Sequence, residues 1–342
     1  MTIHEYQIRH VPAHELYGDF WFNSEPVPIT ALHGHVILLD FWDYTDCSSL
    51  RTLPYVKEWH KRYGPYGLVV VGIHTPKFPF GKNPGNVERA IKRFGIEYPV
   101  MTDNASLIWS GYGNRMWPTK CLIDKEGFVR CVVAGEGHYA ALEQSIHTLL
   151  YNAGVMEDLP DIMDPVRESD RMGVASYKAT PELLTGYLRG SIGNIEGFSP
   201  ESVVHYDDPG IYFDGRFYVE GDWLNDRNSI HHQENDDRGG QIIVSYQGLE
   251  VNAVINSEDR SEFDITVRQD DRFVSPENKG DDVQIDAEGR SLTRITEPRM
   301  YNIVKNREFG EHVLRLSTRS NACGVYSFAF VSGAISEMVS TN

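Results

Sequence analysis

His35-Val36-Ile37-Leu38-Leu39-Asp40-Phe41-Trp42 is a nearly continuous apolar run with a single acid inside it, and Gly67–His74 (GLVVVGIH) is a second run of the same kind. Apolar residues at consecutive rather than alternate positions are what a strand buried on both faces requires. Between the two, Ser49–Tyr63 carries Leu50, Leu53, Val56 and Trp59 at helical spacing, with Pro54 able to kink the helix. Strand, helix, strand makes a βαβ unit, whose parallel pairing is right-handed. Working outward, Asn86–Phe94 predicts a second helix ended by Gly95, and Tyr98–Met101 a short strand. Lys120–Ile123 and Val129–Val133 flank the turn-forming Asp124-Lys125-Glu126-Gly127 as an antiparallel hairpin, and Tyr139–Tyr151 closes the series as an amphipathic helix.

The pattern stops near residue 153. From Gly154 to Ala179 Asp, Glu, Pro and Met dominate without periodicity, which reads as a linker between two domains, 1–153 and 180–342, in a chain of 342 residues. Beyond it helical signals nearly vanish. Ile211–Glu220, Gln241–Ile255, Glu262–Gln269, Asp282–Asp286, Arg299–Val304, His312–Ser317 and Gly324–Ser332 read as strands of an antiparallel, jelly-roll-like sandwich. The fold class expected is therefore α/β followed by all-β.

Charge divides the same way. Residues 1–153 hold 14 Lys+Arg against 15 Asp+Glu, whereas residues 154–342 hold 18 against 34, so the net charge of −17 belongs almost wholly to the second half. That half repels phosphate backbones and anionic lipid, which argues against nucleic acid or a membrane surface as its partner. Residues Met1–His10 show neither an apolar core nor a small-residue cleavage site, and no stretch approaches the ~18 apolar residues of a spanning helix. The sequence as written therefore predicts a cytoplasmic protein.

The segment Leu39-Asp40-Phe41-Trp42-Asp43-Tyr44-Thr45-Asp46-Cys47-Ser48-Ser49, with Leu53-Pro54 after it, resembles the active-site turn of the thioredoxin superfamily. It is most similar to the TlpA and DipZ-type redoxins, whose pattern runs D-F-W-x-Y-x-C-x-x-C-x-R-T-L-P-Y-V. The likeness continues through Gly72–Phe78, Trp117-Pro118-Thr119 and Gly135–Tyr139, and the strand–helix order is that of a thioredoxin-type sheet. In the ungapped register Asp46 stands at the nucleophilic cysteine and Ser49 at the resolving one. Both family thiols are absent, and Cys47 is the first residue between them.

The resemblance implies a thiolate stabilised at a helix N-terminus and a second thiol that releases the product. A carboxylate cannot form a mixed disulfide, so Asp46 reads as a helix N-cap. Asp40 matches the family's buried acid and, without a dithiol, is expected to be satisfied by a hydroxyl such as that of Ser49. Pro118 matches the family's cis-proline, which exposes backbone to an extended peptide. Trp42, Tyr44, Ser48, Trp117 and Pro118 are thus the expected binding loop. The first expectation is a binding or scaffold protein rather than an enzyme. The alternative is a thiol-dependent oxidoreductase or monothiol antioxidant working through Cys47, a thiol in the first helical turn near Arg51, with Asp40 as its acid.

Nothing calls for a cofactor. The four cysteines at 47, 121, 131 and 323 lack metal or disulfide spacing, and Cys121 and Cys131 fall on expected core strands. Thr180-Pro181-Glu182, Gly221-Asp222-Trp223 and Thr296–Tyr301 look like segments of the carbohydrate-binding-like sandwich that follows the redoxin domain in DipZ-type proteins. Tyr206, Tyr212, Phe217, Tyr218 and Trp223 supply rings for a sugar face, with Trp223, Tyr212 and Tyr218 the leading candidates. Glu234-Asn235-Asp236-Asp237, after His231-His232, is an oxygen-rich run that either coordinates calcium or is a solvated loop.

Overall fold

The computed structural model describes residues 2–5, 11–233, 239–259 and 261–335. They fall into two compact units, 1–173 and 174–342.

In the first unit β1 (Thr2–Glu5), β2 (Val11–Pro12) and β3 (Trp21–Phe22) precede β4 (Val36–Trp42), α1 (Cys47–Tyr63), β5 (Leu68–His74) and α2 (Pro84–Phe94). Then come β6 (Val100–Thr102), α3 (Leu107–Gly111), β7 (Thr119–Ile123), β8 (Phe128–Ala134) and α4 (Tyr139–Ala153). The sheet order is β1-β8-β7-β4-β5-β6-β3. β4 is central: it runs parallel to β5 and antiparallel to β7, and Asp40 lies opposite Gly72 on one side and Lys120 on the other. All seven residues of β4 are buried, as its unbroken apolar pattern demands.

The helices obey their caps. Asp46 caps α1, which continues through Pro54; Asn83 caps α2, Pro84 follows at its first position, and Gly95, with φ 58°, ends it in the left-handed conformation. The three N-terminal strands and α3 were not legible as elements, being two to five residues long.

The segment expected to be a linker packs on the first unit as far as Asp170. Val155, Leu159 and Met163 rest against the core of α1, α2 and α4, and the Met163 N–H donates to the buried Glu143 at 3.1 Å.

The second unit adds β9 (Leu183–Leu184), β10 (Val203–Tyr206), β11 (Phe217–Asn225), β12 (Ile230–His232), β13 (Gly240–Ser257) and β14 (Phe263–Gln269). It continues with β15 (Arg272–Phe273), β16 (Val283–Ile285), β17 (Ser291–Ile295), β18 (Arg299–Thr318) and β19 (Cys323–Val331). The named strands of this unit pair antiparallel. The first part of β13 pairs with β11 and the later part with β19, while β18 runs along its other side.

Two expectations change here. Arg299–Val304 and His312–Ser317 belong to one strand, β18, whose polar middle is taken up where the register jumps from Gly248↔Gly310 to Glu250↔Lys305. The strand expected from Ile211 begins only at Phe217, because Asp208-Pro209-Gly210 and Asp214-Gly215 impose turns; Ile211 and Phe213 are exposed.

Candidate functional site

The turn between β4 and α1 is held from within. Asp46 Oδ1 accepts hydrogen bonds from the Ser49 N–H (2.8 Å) and Ser49 hydroxyl (3.0 Å), and Asp46 Oδ2 lies 3.3 Å from Lys77 Nζ. Three residues earlier the buried Asp43 accepts from the Thr45 N–H (2.6 Å), the Thr45 hydroxyl and the Lys77 N–H (2.9 Å), with His74 Nε2 at 3.4 Å. His74 is itself buried, stacked on Tyr44 (centroids 5.3 Å apart, 16° between planes) and edge-on to Trp42. Burial holds its imidazole below the ordinary value, against the opposing pull of Asp43.

Asp40 is 1% exposed, and its facing group is Lys120, also 1% exposed, with Nζ 4.0 Å from Asp40 Oδ1. This corrects the expectation that Ser49 satisfies Asp40. The Ser49 hydroxyl is turned to Asp46, whereas Asp40 and Lys120 stand directly opposite each other on paired strands and share a sheet face. Burial pushes the Asp40 carboxyl up to about 6 despite the nearby ammonium, and burial pulls Lys120 down to about 8 despite Asp40, Glu136 and Asp46. A lysine inside the otherwise apolar Thr119-Lys120-Cys121-Leu122-Ile123 was the available signal for this pair.

The Trp117–Pro118 peptide is cis. Pro118 is buried, and its carbonyl accepts from the Gly135 N–H at 2.7 Å. Trp117 is half-buried, donates its indole N–H to the Thr75 carbonyl (3.1 Å) and packs on Trp109 with centroids 4.4 Å apart. Cys47 and Ser48 are half-buried on the first turn of α1, and Met116 is exposed beside the cis-proline. Trp42 and Tyr44, by contrast, lie inside the core, so of the expected binding loop only Ser48 and Trp117 present surface. One turn beyond Cys47, Arg51 Nε donates to Glu136 at 2.7 Å.

The family model described as thioredoxin-like C-terminal domain matches residues 180–330. Protein DipZ of Mycobacterium bovis is 32% identical over 251 residues, covering 69% of this chain and 33% of that protein. Thiol-disulfide oxidoreductase ResA of Geobacillus thermodenitrificans is 26% identical over 121 residues, covering 35% of this chain and 67% of that protein. A crystal structure of a thioredoxin-like superfamily protein is similar with 24% identity and a TM-score of 0.40, covering 44% of this chain and 99% of its own. The chain belongs to the thioredoxin-like redoxin superfamily. It spans a third of the length of the DipZ relative.

Within this thioredoxin-like chain Asp46 and Ser49 are bonded to each other as a helix cap. Cys121, Cys131 and Cys323 are buried, and burial pushes the thiols of Cys121 and Cys323 up, the latter to about 12, so neither supplies a thiolate. Among the described residues no group of His, Cys, Asp and Glu is arranged to hold a metal ion, and no helix is long and apolar enough to cross a membrane.

In the second unit of this redoxin-family chain, Trp223, Tyr206, Phe217 and Tyr218 are buried and offer no ring face to a sugar. The sequence pattern placed Phe217 and Tyr218 on a strand but not on a side, and gave no strand at Tyr206 or Trp223; the core holds all four. Tyr212 is half-buried, its hydroxyl bound to Asp208 (2.6 Å) and Arg315 (2.8 Å). The run Glu234–Asp237 lies outside the described residues.

Proposed function

We propose that the first unit is a recognition module of thioredoxin type that holds an extended peptide at Trp117, Pro118 and Ser48 without dithiol–disulfide exchange. The observation that carries this reading is the Asp46–Ser49 cap: a carboxylate that accepts from the Ser49 hydroxyl and from Lys77 stands, with that hydroxyl, where exchange needs two sulfurs. The indole of Trp117, fixed by Thr75 and Trp109, supplies a rigid apolar wall beside exposed Met116. The test is binding of the full chain to an array of extended peptides. Trp117→Ala weakens every captured peptide about fivefold or more, and Ser48→Asp does likewise; equal binding by both variants refutes the reading.

A second reading, a monothiol reaction at Cys47, is favoured by one observation: the thiol is half-buried on the first turn of α1, one turn from the Arg51 guanidinium. Under this reading the Cys47 thiolate takes the glutathionyl group as the substrate thiol leaves, and added glutathione then releases it as glutathione disulfide; Cys47→Ser abolishes this exchange.

For the second unit, carbohydrate recognition rests on the loop Ile211–Phe213, which keeps two exposed apolar side chains beside Tyr212, rather than on the buried Trp223 and Tyr218. A glycan array with the full chain and its Phe213→Ala variant tests this, and a blank array ends it.

A further inference from the structure

The segment after α4 does more than join the units. Between residues 155 and 171 it is fastened to the first unit at several points. The Arg62 side chain donates to the Asp161 carbonyl, and Met163 N–H to Glu143. The hydroxyl of Tyr55, a residue 1% exposed, receives the Val166 N–H at 2.7 Å and donates to Asp170 Oδ2 at 2.7 Å. Arg167 donates to the backbone carbonyl of Arg51 (2.9 Å), pairs with Asp170 (2.9 Å) and reaches Glu136 Oε1 at 3.6 Å.

Glu136 is therefore claimed by two guanidiniums, Arg51 from α1 and Arg167 from the strap. Arg51 follows Cys47 by four residues, so the two lie on one face of α1, and Tyr55 follows a further turn along the helix. The strap brings a paired charge to Glu136, since the Arg167 nitrogen that reaches it also lies 2.9 Å from Asp170 Oδ2. Burial opposes the charge on Arg51, yet Glu136, Cys47 and Asp170 together hold its guanidinium above the ordinary value. Other charged and titratable groups at this end of α1 are Asp43 with His74, Asp46 with Lys77, and the buried Asp40 with Lys120; none of them belongs to the strap.

We propose that residues 155–171 form a docked strap, latched by the Tyr55 hydroxyl, that sets the reactivity of Cys47 through the shared carboxylate of Glu136. With the strap docked, Arg51 keeps its 2.7 Å bond to Glu136 while Arg167, at 3.6 Å, shares the same carboxylate, so that less of its negative charge falls on Arg51. With the strap released, Glu136 neutralises Arg51 alone and the thiol of Cys47 reacts more slowly. The inference concerns how the thiol is set, and stands whichever reading of the site is correct.

The test uses the full chain and two readouts: the pH profile of Cys47 alkylation by iodoacetamide, followed by mass spectrometry, and hydrogen exchange of the strap amides at Met163 and Val166. Tyr55→Phe and Arg167→Ala are expected to speed strap exchange, slow alkylation at pH 7 about 2–5-fold and raise the midpoint of the profile. Glu136→Gln is expected to speed alkylation and lower the midpoint. Strap exchange that stays slow in Tyr55→Phe overturns the latch, and faster exchange with an unmoved midpoint overturns the coupling to Cys47. Both can be read whether or not any variant retains peptide binding, so their failure is separable from that of the proposed function.

Discussion

The near-neutral half of the chain buries its charges, and the strongly acidic half buries none among the described residues. In the first unit Asp40, Asp43, Asp103, Asp124, Glu143 and Lys120 are all buried; in the second the buried polar residues are Ser, Thr, Asn, Gln and His. There the acids sit outside, in pairs such as Arg294 with Asp264 and Glu262, or Lys305 with Asp281. Net charge and buried charge are thus independent quantities: the first describes a solvated surface, the second marks where the fold has tolerated desolvation for a purpose. In the first unit those purposes are visible as bonds, with Asp43 holding the turn before α1, Asp103 receiving the N–H groups of Ile108 and Trp109 in α3, and Glu143 receiving Tyr63, Arg62 and Met163.

The contrast is sharpest at Asp43. Replacing it in Asp43→Ala strands the buried N–H of Thr45 and the N–H of Lys77, a loss expected on the order of 3 kcal/mol in the stability of the first unit by urea titration. A shift no larger than that of a surface substitution would erase the distinction between the two halves.

Next in size is the Asp40–Lys120 pair, whose geometry satisfies neither partner with a hydrogen bond. The folded carboxyl, at about 6, holds its proton more tightly than the unfolded one, so its effect lowers stability as pH rises from about 4 to 6. The folded ammonium, at about 8, gives up its proton more readily than when unfolded, so stability recovers between about pH 8 and 10.5. The double substitution Asp40→Asn, Lys120→Met is expected to flatten both slopes and to stabilise the unit at pH 7 by about 2 kcal/mol. Thermal midpoints measured across pH 4–10 check this, and a destabilised, still pH-dependent variant would show the pair to be a net asset. Smallest of all is Asp264→Ala in the second unit, expected to leave the thermal midpoint unmoved because its partner Arg294 is exposed and keeps Glu262.

Much of the first unit was legible because its signals are local. Val36–Trp42 and Leu68–His74 appear as unbroken apolar runs, and Asp46 at the start of an apolar helical pattern is a cap by chemistry as well as by register. Partners across the sheet were not legible, since nothing in the sequence says that Asp40 faces Lys120 rather than Ser49 until the strand register is known. The strap escaped for a related reason: Val155, Leu159 and Met163 follow no period, and their order comes from Tyr55 and Glu143, about a hundred and about twenty residues away. In the second unit the pattern located the strand around Tyr218 but ended it before Trp223, and was silent on which side faces the core.

The proposed function holds that the turn at Asp46–Ser49 does not exchange disulfides. Reduction of insulin driven by dithiothreitol tests this most directly, comparing the chain as it stands with the double substitution Asp46→Cys, Ser49→Cys. The account predicts no rate above the dithiothreitol background for the native chain and a clear gain for the substituted one. Insulin reduction by the native chain, lost in Cys47→Ser, would contradict it.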